Sequence, residues 1–258
     1  MTDHSKMKLG RKAIKTDSRT LRLASYLTPT LPPPPTACDW TRGRTDWGMM
    51  LNGPDPAEPA YPEGLGDCTI AGCAHAVQVW SANTTGEVTV PDSSILHYYE
   101  KWDGYKPQEP DTDQGGIELD VLNDWKKHKF ANNALLAFAD ANAKNLTEIR
   151  QSIALFGGVY IGLSLPLTAQ HQAVWDLVSP TGDGEPNSWG GHCVFVPKYD
   201  ENGFTCVTWG GLKTMTAAFW NAYCDEAHTL LGADWLTAKG SPSGFDQEQL
   251  LADLQAIR

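Results

Sequence analysis

The sequence predicts an α+β fold, with a helical lobe first, a β-rich lobe second and a cleft between them. Three observations predict it. Apolar residues recur at i, i+3 and i+4 spacing in the predicted helices of the first 156 residues, as in "CTIAGCAHAVQVW". From Val159 the period changes to two, with Val159, Ile161, Leu163 and Leu165 on one face of "VYIGLSL". A lone thiol, Cys68, stands at the start of the first strong helix, while polar groups suited to partner it fall on later strand-like runs.

Composition sets mild limits. A chain of 258 residues can bury a large core as one domain or two intimately packed lobes. With 41% hydrophobic and 20% charged residues it reads as globular rather than disordered. A formal charge of -11 argues against a broad face for nucleic acid. The basic N-terminus has no apolar stretch behind it, and no apolar run reaches the length of a membrane span, so neither a signal peptide nor a membrane partner is expected. The six cysteines (Cys38, Cys68, Cys73, Cys193, Cys206 and Cys224) form no CxxC pair, which makes reduced thiols in a cytoplasmic protein the default. Ten tryptophans suit a packed core with a groove, or a sugar- or peptide-binding surface. Oligomeric state is left open.

In chain order, residues 1–45 read as an extended arm. Its prolines Pro32 to Pro35 enforce polyproline II geometry, either as a strap over the domain's own surface or as a ligand for an SH3-like partner. Residues 46–258 read as a single domain, with a helical lobe over about 46–156 and a β-rich lobe over about 157–258. "GPDPAEPAYPEG" (Gly53 to Gly64) is an exposed loop just before the Cys68 helix. A second helix carries Ile117, Val121, Leu122 and Trp125 on one face, with acids at its start and lysines at its end. A third runs from about Thr147, read as its cap, to Leu155, stopped by Gly157-Gly158. "HCVFVPKYD" and "GFTCVTWG" are strands joined by a tight turn, and "MTAAFWNAYCDEAHTLL" is read as a return to helix.

A thiol at a helix start faces unpaired N–H groups and the positive end of the dipole, which favour thiolate. Such a thiol also packs or ligates a metal in other settings, so a base is needed to decide. Of the seven histidines, His75 lies two turns along the same helix, roughly 10 Å away, and suits a core role. His171 follows a candidate strand. His192 opens a strand behind "SWGG", whose glycines let the backbone come close beside the imidazole, and it is the best partner for Cys68 in a nucleophile–base pair. No metal or cofactor is expected: "DTDQGG" lacks EF-hand spacing, and Cys193, Cys206 and His192 offer no compact ligand pair.

"LGDCTIAGCAHAVQVW" resembles the nucleophile segment of papain-like cysteine peptidases, especially a divergent bacterial branch, and "GGHCVFVPKYD" and "VTWGG" resemble that superfamily's histidine strand and its Asn-Ser-Trp-Gly segment. The resemblance implies a papain-like two-lobe fold with an antiparallel β-rich C-terminal lobe. It implies Cys68 rather than Cys73 as nucleophile, His192 as base and Trp209 as a shield of the cleft. Trp189, Gly191 and Asp67 join Trp209 as candidate binding residues.

The departures bear on activity. The family's orienting asparagine falls on Val207, whose side chain accepts no hydrogen bond. Thr208 replaces it only if the register shifts by one, and Asp200 or Asp176 only if brought close in space. The family's oxyanion glutamine falls on Pro62. If "GPDPAEPAYPEG" is an insertion, Asn52 takes that place; otherwise it caps a turn. A missing donor of this kind costs about 3 kcal/mol of transition-state stabilisation. Asp67 either raises the thiol pKa or turns back to cap the helix. Two functions follow: a thiol hydrolase forming an acyl-enzyme on Cys68 with a peptide or other amide, or an inactive relative whose cleft binds peptide or glycan.

Overall fold

The computed structural model describes residues 3–44, 46–240 and 244–256. Positions 1, 2 and 45 of the expected arm, and 241–243 and 257–258 of the expected domain, lie outside the described residues.

Helix α1 (Cys68–Asn83) is buried on every side from Cys68 to Ser81, so it forms the centre of the helical half rather than a one-sided stripe. Its polar residues are accordingly paired: His75 Nδ1 meets Gln78 Oε1 at 2.7 Å, and Gln78 Nε2 donates to the Trp47 carbonyl at 3.3 Å. Gly72 lets the sheet come close, since a Cβ there would lie 2.8 Å from the Tyr160 ring. The Tyr160 hydroxyl donates to the Thr69 carbonyl at 2.9 Å and fixes that contact.

Around α1 lie α2 (Asp92–Tyr98), which runs on into a π turn over Tyr99–Asp103, and α3 (Glu118–Lys127), which buries Leu119, Val121, Leu122 and Trp125 together with Glu118. Helix α4 (Leu146–Phe156) ends at Gly157, φ +81°. Its cap is Asn145, whose side chain accepts from Glu148 N–H, and not Thr147 as the sequence suggested.

The strands are β1 (Cys38–Asp39), β2 (Leu135–Asp140), β3 (Val159–Leu165), β4 (Gly190–Asp200), β5 (Gly203–Thr208), β6 (Gly211–Met215) and β7 (Cys224–Gly232). They form one antiparallel sheet in the order β2-β7-β3-β4-β5-β6, with β1 on the far end of β4. Two of these correct the sequence reading. The run read as one helix after Met215 divides into α5 (Ala217–Tyr223) and β7, and β2 lies in a stretch read as helix and loop. In β7 all but Asp225 are buried, so no polar alternation marks it as a strand. The chain continues into α6 (Ala233–Lys239) and α7 (Gln247–Ala256).

Two details of register position the site. Glu226, Gly162 and Cys193 stand side by side on β7, β3 and β4, on the face that Tyr160 turns toward α1. In the β4–β5 pair the register slips by one residue between Lys198↔Thr205 and Phe195↔Val207.

Candidate active site

The turn into α1 is built from both ends of the proline-rich loop. Met50 and Leu51 adopt positive φ, and Leu65 N–H donates to the Leu51 carbonyl at 2.6 Å, so the loop's ends meet as an excursion would. Asn52 Nδ2 then donates to the Leu65 carbonyl at 3.0 Å and to Asp67 Oδ1 at 3.1 Å. That corrects the oxyanion assignment, because both amide hydrogens are committed to the turn. Of the two readings of Asp67 the cap is corrected: its side chain makes no cap to α1 but faces Asn52, fully buried, and burial holds its carboxyl well above the usual range. Asp113, which carried no assigned role, accepts from the Gly66 N–H at 2.8 Å and from the Tyr99 hydroxyl at 2.7 Å, and pins the turn from the other side.

Cys68 Sγ accepts from the Cys193 N–H at 3.3 Å, which brings the helix start against the residue following His192. His192 Nε2 meets Thr208 Oγ1 at 2.8 Å, and its Nδ1 is buried without a hydrogen-bond partner among the described residues. The one-residue slip explains the Thr208 contact. With Phe195 opposite Val207, Thr208 falls on the face shared by Val194 and His192, and Val207 turns to the other. Trp209, φ +47°, stacks on the imidazole at 4.6 Å and 17°, and Trp189 lies 5.6 Å from Trp209.

The two aspartates are not brought in. Asp200 sits at the opposite end of β4 from His192, roughly 25 Å away at extended rise, where it accepts from Asn202 N–H. Asp176 accepts from Thr216 Oγ1 and from Leu177 N–H.

Residues 4–12 lie across this arrangement. Lys8 N–H donates to the Asn52 carbonyl, Arg11 N–H to the Gly191 carbonyl at 3.0 Å, and Lys12 N–H to the Gly116 carbonyl at 2.8 Å; Gly116 N–H donates to the Gly10 carbonyl at 2.7 Å. His4 packs against Trp209, the ring centroids 4.9 Å apart and the planes tilted by 35°. A Cβ on Gly10 would overlap the Gly66 carbonyl, so only glycine passes here. Under this strap Cys68 and His192 are each 1% exposed. Burial, with Asp67 adding, pushes the Cys68 thiol up to about 12, against the pull of the Cys193 and Gly10 N–H groups. Burial pushes His192 down to about 3. The expected thiolate is therefore a neutral thiol in this state: desolvation outweighs the helix dipole.

Neither a family model nor a curated protein matches the sequence. Solved structures do. Xylellain, a cysteine protease from Xylella fastidiosa, superposes with a TM-score of 0.63 at 14% identity over 89% of this chain and 98% of that one. Procathepsin L 3 of Tenebrio molitor larval midgut gives 0.56 at 10% identity over 88% and 76%. The ragweed cysteine protease Amb a 11, in its proform, gives 0.55 at 14% over 82% and 70%. The fold is papain-like. No helix among the described residues is long and apolar enough to cross a membrane.

Within this papain-like fold the arm supplies what the sequence reading missed. The Arg11 guanidinium is buried between Glu118 (Nε to Oε1, 3.0 Å), Asp225 (2.7 Å) and Glu226 (2.8 Å). His228 stands behind them, 3.1 Å from Glu226 and 2.9 Å from Asp140, and these partners hold it at about 9 despite its burial. Glu118, Glu226 and His228 each offer one donor atom within 4.8 Å of the others, a spacing compatible with a metal ion. The guanidinium already answers those carboxylates, Glu118 by an ion pair and Glu226 by an ion pair and a hydrogen bond. "LGRK" in a basic tail carried one usable signal, a glycine beside an arginine, but nothing local linked it to residues more than a hundred positions away.

Proposed function

We propose that this chain is a thiol hydrolase of peptide or other amide bonds, with Cys68 as nucleophile and His192 as base, held closed by its own residues 4–12. One observation carries the reading. Cys68 Sγ lies against Cys193 N–H, while the neighbouring His192 has Nε2 tied to Thr208 and Nδ1 free. If Thr208 Oγ1 accepts from Nε2–H, Nδ1 is the unprotonated nitrogen and takes the thiol proton.

In the proposed reaction the sulfur attacks the carbonyl carbon as His192 takes its proton. The tetrahedral intermediate then collapses, and the leaving amine departs with that proton. Water, deprotonated by His192, cleaves the thioester to release the acid and restore the thiol. The Cys68 N–H, free of an intrahelical acceptor at the helix start, is the proposed oxyanion donor. Asn52 acts as a positioning residue through Asp67, and Trp209 with Trp189 walls the imidazole. Gly191 offers its carbonyl to an extended ligand, as it does to Arg11. The papain-like fold supports placing this chemistry in a cleft between a helical lobe (46–156) and a β-rich lobe (157–258), behind an arm over 1–45.

A second reading, a cleft kept for binding without turnover, is favoured by the neutral state of both groups under the strap. The test is a peptide library exposed to the full chain, to Gly10→Ala, in which the new Cβ displaces the strap, and to Gly10→Ala with Cys68→Ala. Cleavage by Gly10→Ala alone supports the hydrolase. Cleavage that survives Cys68→Ala overturns the thiol mechanism, and binding with no cleavage in any of them supports the second reading.

A further inference from the structure

The strap is held by two kinds of contact. Its backbone bonds to Gly191 and Gly116 are main-chain to main-chain and would serve any extended peptide. Its side-chain recognition is concentrated in Arg11, the residue after the one whose N–H approaches the Cys68 thiol. The cage around that guanidinium is assembled from separate parts of the chain. Glu118 comes from the first position of α3, and Asp225 and Glu226 from β7. Gly162 of β3 makes the floor, where a Cβ would overlap the guanidinium itself. Glu118 is fully buried and Glu226 is 8% exposed. Three carboxylates around one planar group match the fork of arginine, which a lysine ammonium cannot span.

We propose that this Glu118–Asp225–Glu226 cage is the specificity pocket of the site, and that the peptide admitted when the strap leaves presents an arginine side chain to it. The proposal rests on the hydrolase reading for its catalytic consequence, but the pocket itself is a binding site and can be tested without turnover. Once Arg11 withdraws, the buried Glu118 and Glu226 lose the guanidinium and keep only the His228 imidazole, 3.9 and 3.1 Å away, as a cationic neighbour among the described residues. A ligand guanidinium restores the same bonds, so strap and substrate compete for one place.

The full-length Arg11→Ala protein carrying Cys68→Ala is titrated calorimetrically with Nα-acetyl-arginine methylamide and with its citrulline counterpart, which keeps the shape and loses the charge. The arginine compound is expected to bind at least about ten-fold tighter, with the preference abolished by Glu226→Gln and the binding weakened when Arg11 is retained. Equal affinity for the two compounds overturns the proposal. A second arm does not depend on the folding of Arg11→Ala: Gly10→Ala, with Arg11 intact, is assayed on matched arginine and citrulline peptide amides. Turnover without an arginine preference removes the pocket and leaves the hydrolase standing. Calorimetric preference for arginine with no turnover of either amide removes the hydrolase and leaves the pocket standing.

Discussion

Replacing Thr208 by valine changes one thing in a closed site: it deletes the only hydrogen-bond partner of His192 Nε2 among the described residues while keeping nearly the same volume. Both residues are buried, His192 at 1% and Thr208 at 6% exposure, so water cannot enter freely to replace the bond. A buried polar group left unpaired costs about 1–3 kcal/mol. At the middle of that range, about 2 kcal/mol, a chain of this length is expected to lose about 4–8 °C in Tm. A second readout addresses orientation. With Thr208 accepting, the imidazole carries its proton on Nε2, and 15N NMR of the ring is expected to show that tautomer in the parent and a mixture in Thr208→Val. In the strap-displaced Gly10→Ala background the same change is expected to lower kcat by about ten-fold or more, with a smaller effect on KM. A Tm within about 1 °C of the parent, together with an unchanged tautomer, would refute the role given to Thr208.

Iodoacetamide at neutral pH is expected to label the full chain slowly at Cys68, whose thiol is pushed up to about 12, and about ten-fold or more faster in Gly10→Ala, as peptide mapping would read. Faster labelling of Cys73 than of Cys68 in that variant would move the nucleophile. His228, held at about 9 in the folded chain against 6.5 in its ordinary state, takes up its proton more tightly when folded. Its stabilising contribution over His228→Gln is therefore fully present below about pH 6.5 and lost as pH rises through about 9, a change of about 3 kcal/mol in urea unfolding at the two limits. Gly72→Ala, which drives a Cβ to 2.8 Å from the anchored Tyr160 ring, is expected to destabilise by about 1–3 kcal/mol in the same assay.

The parts of the fold legible in the sequence are those with local signals. Helix α1 announces itself by apolar spacing behind a glycine turn, and β4 and β5 by alternation around a short turn. Cys68 and His192 sit at the starts of such elements, and so both are legible as candidates. Thr208 was visible only as a conditional, because the one-residue slip that turns it toward His192 is a property of strand pairing. Strands β2 and β7 were hidden: β2 is alanine-rich and β7 is buried on both faces, so neither carries a period-two polar pattern. Asn52 is legible once the two ends of the loop are taken to meet, but its amide goes to Asp67, since a buried carboxyl beside it needs a donor more than an unformed oxyanion does. The strap was the least legible element. Its role depends on Arg11 meeting Glu118, Asp225 and Glu226, and no short-range pattern encodes a bond between residues 11 and 226.

The most direct test of a thiol hydrolase centred on Cys68 is to trap its acyl-enzyme. Gly10→Ala is mixed with an arginyl peptide ester, quenched in acid within the first turnovers and weighed intact by mass spectrometry. The expected result is a mass increase equal to one acyl group, located by peptide mapping on Cys68 and absent when Cys68→Ala is added. An ester hydrolysed with no adduct on Cys68, or an adduct of the same mass that persists in Cys68→Ala, would contradict it.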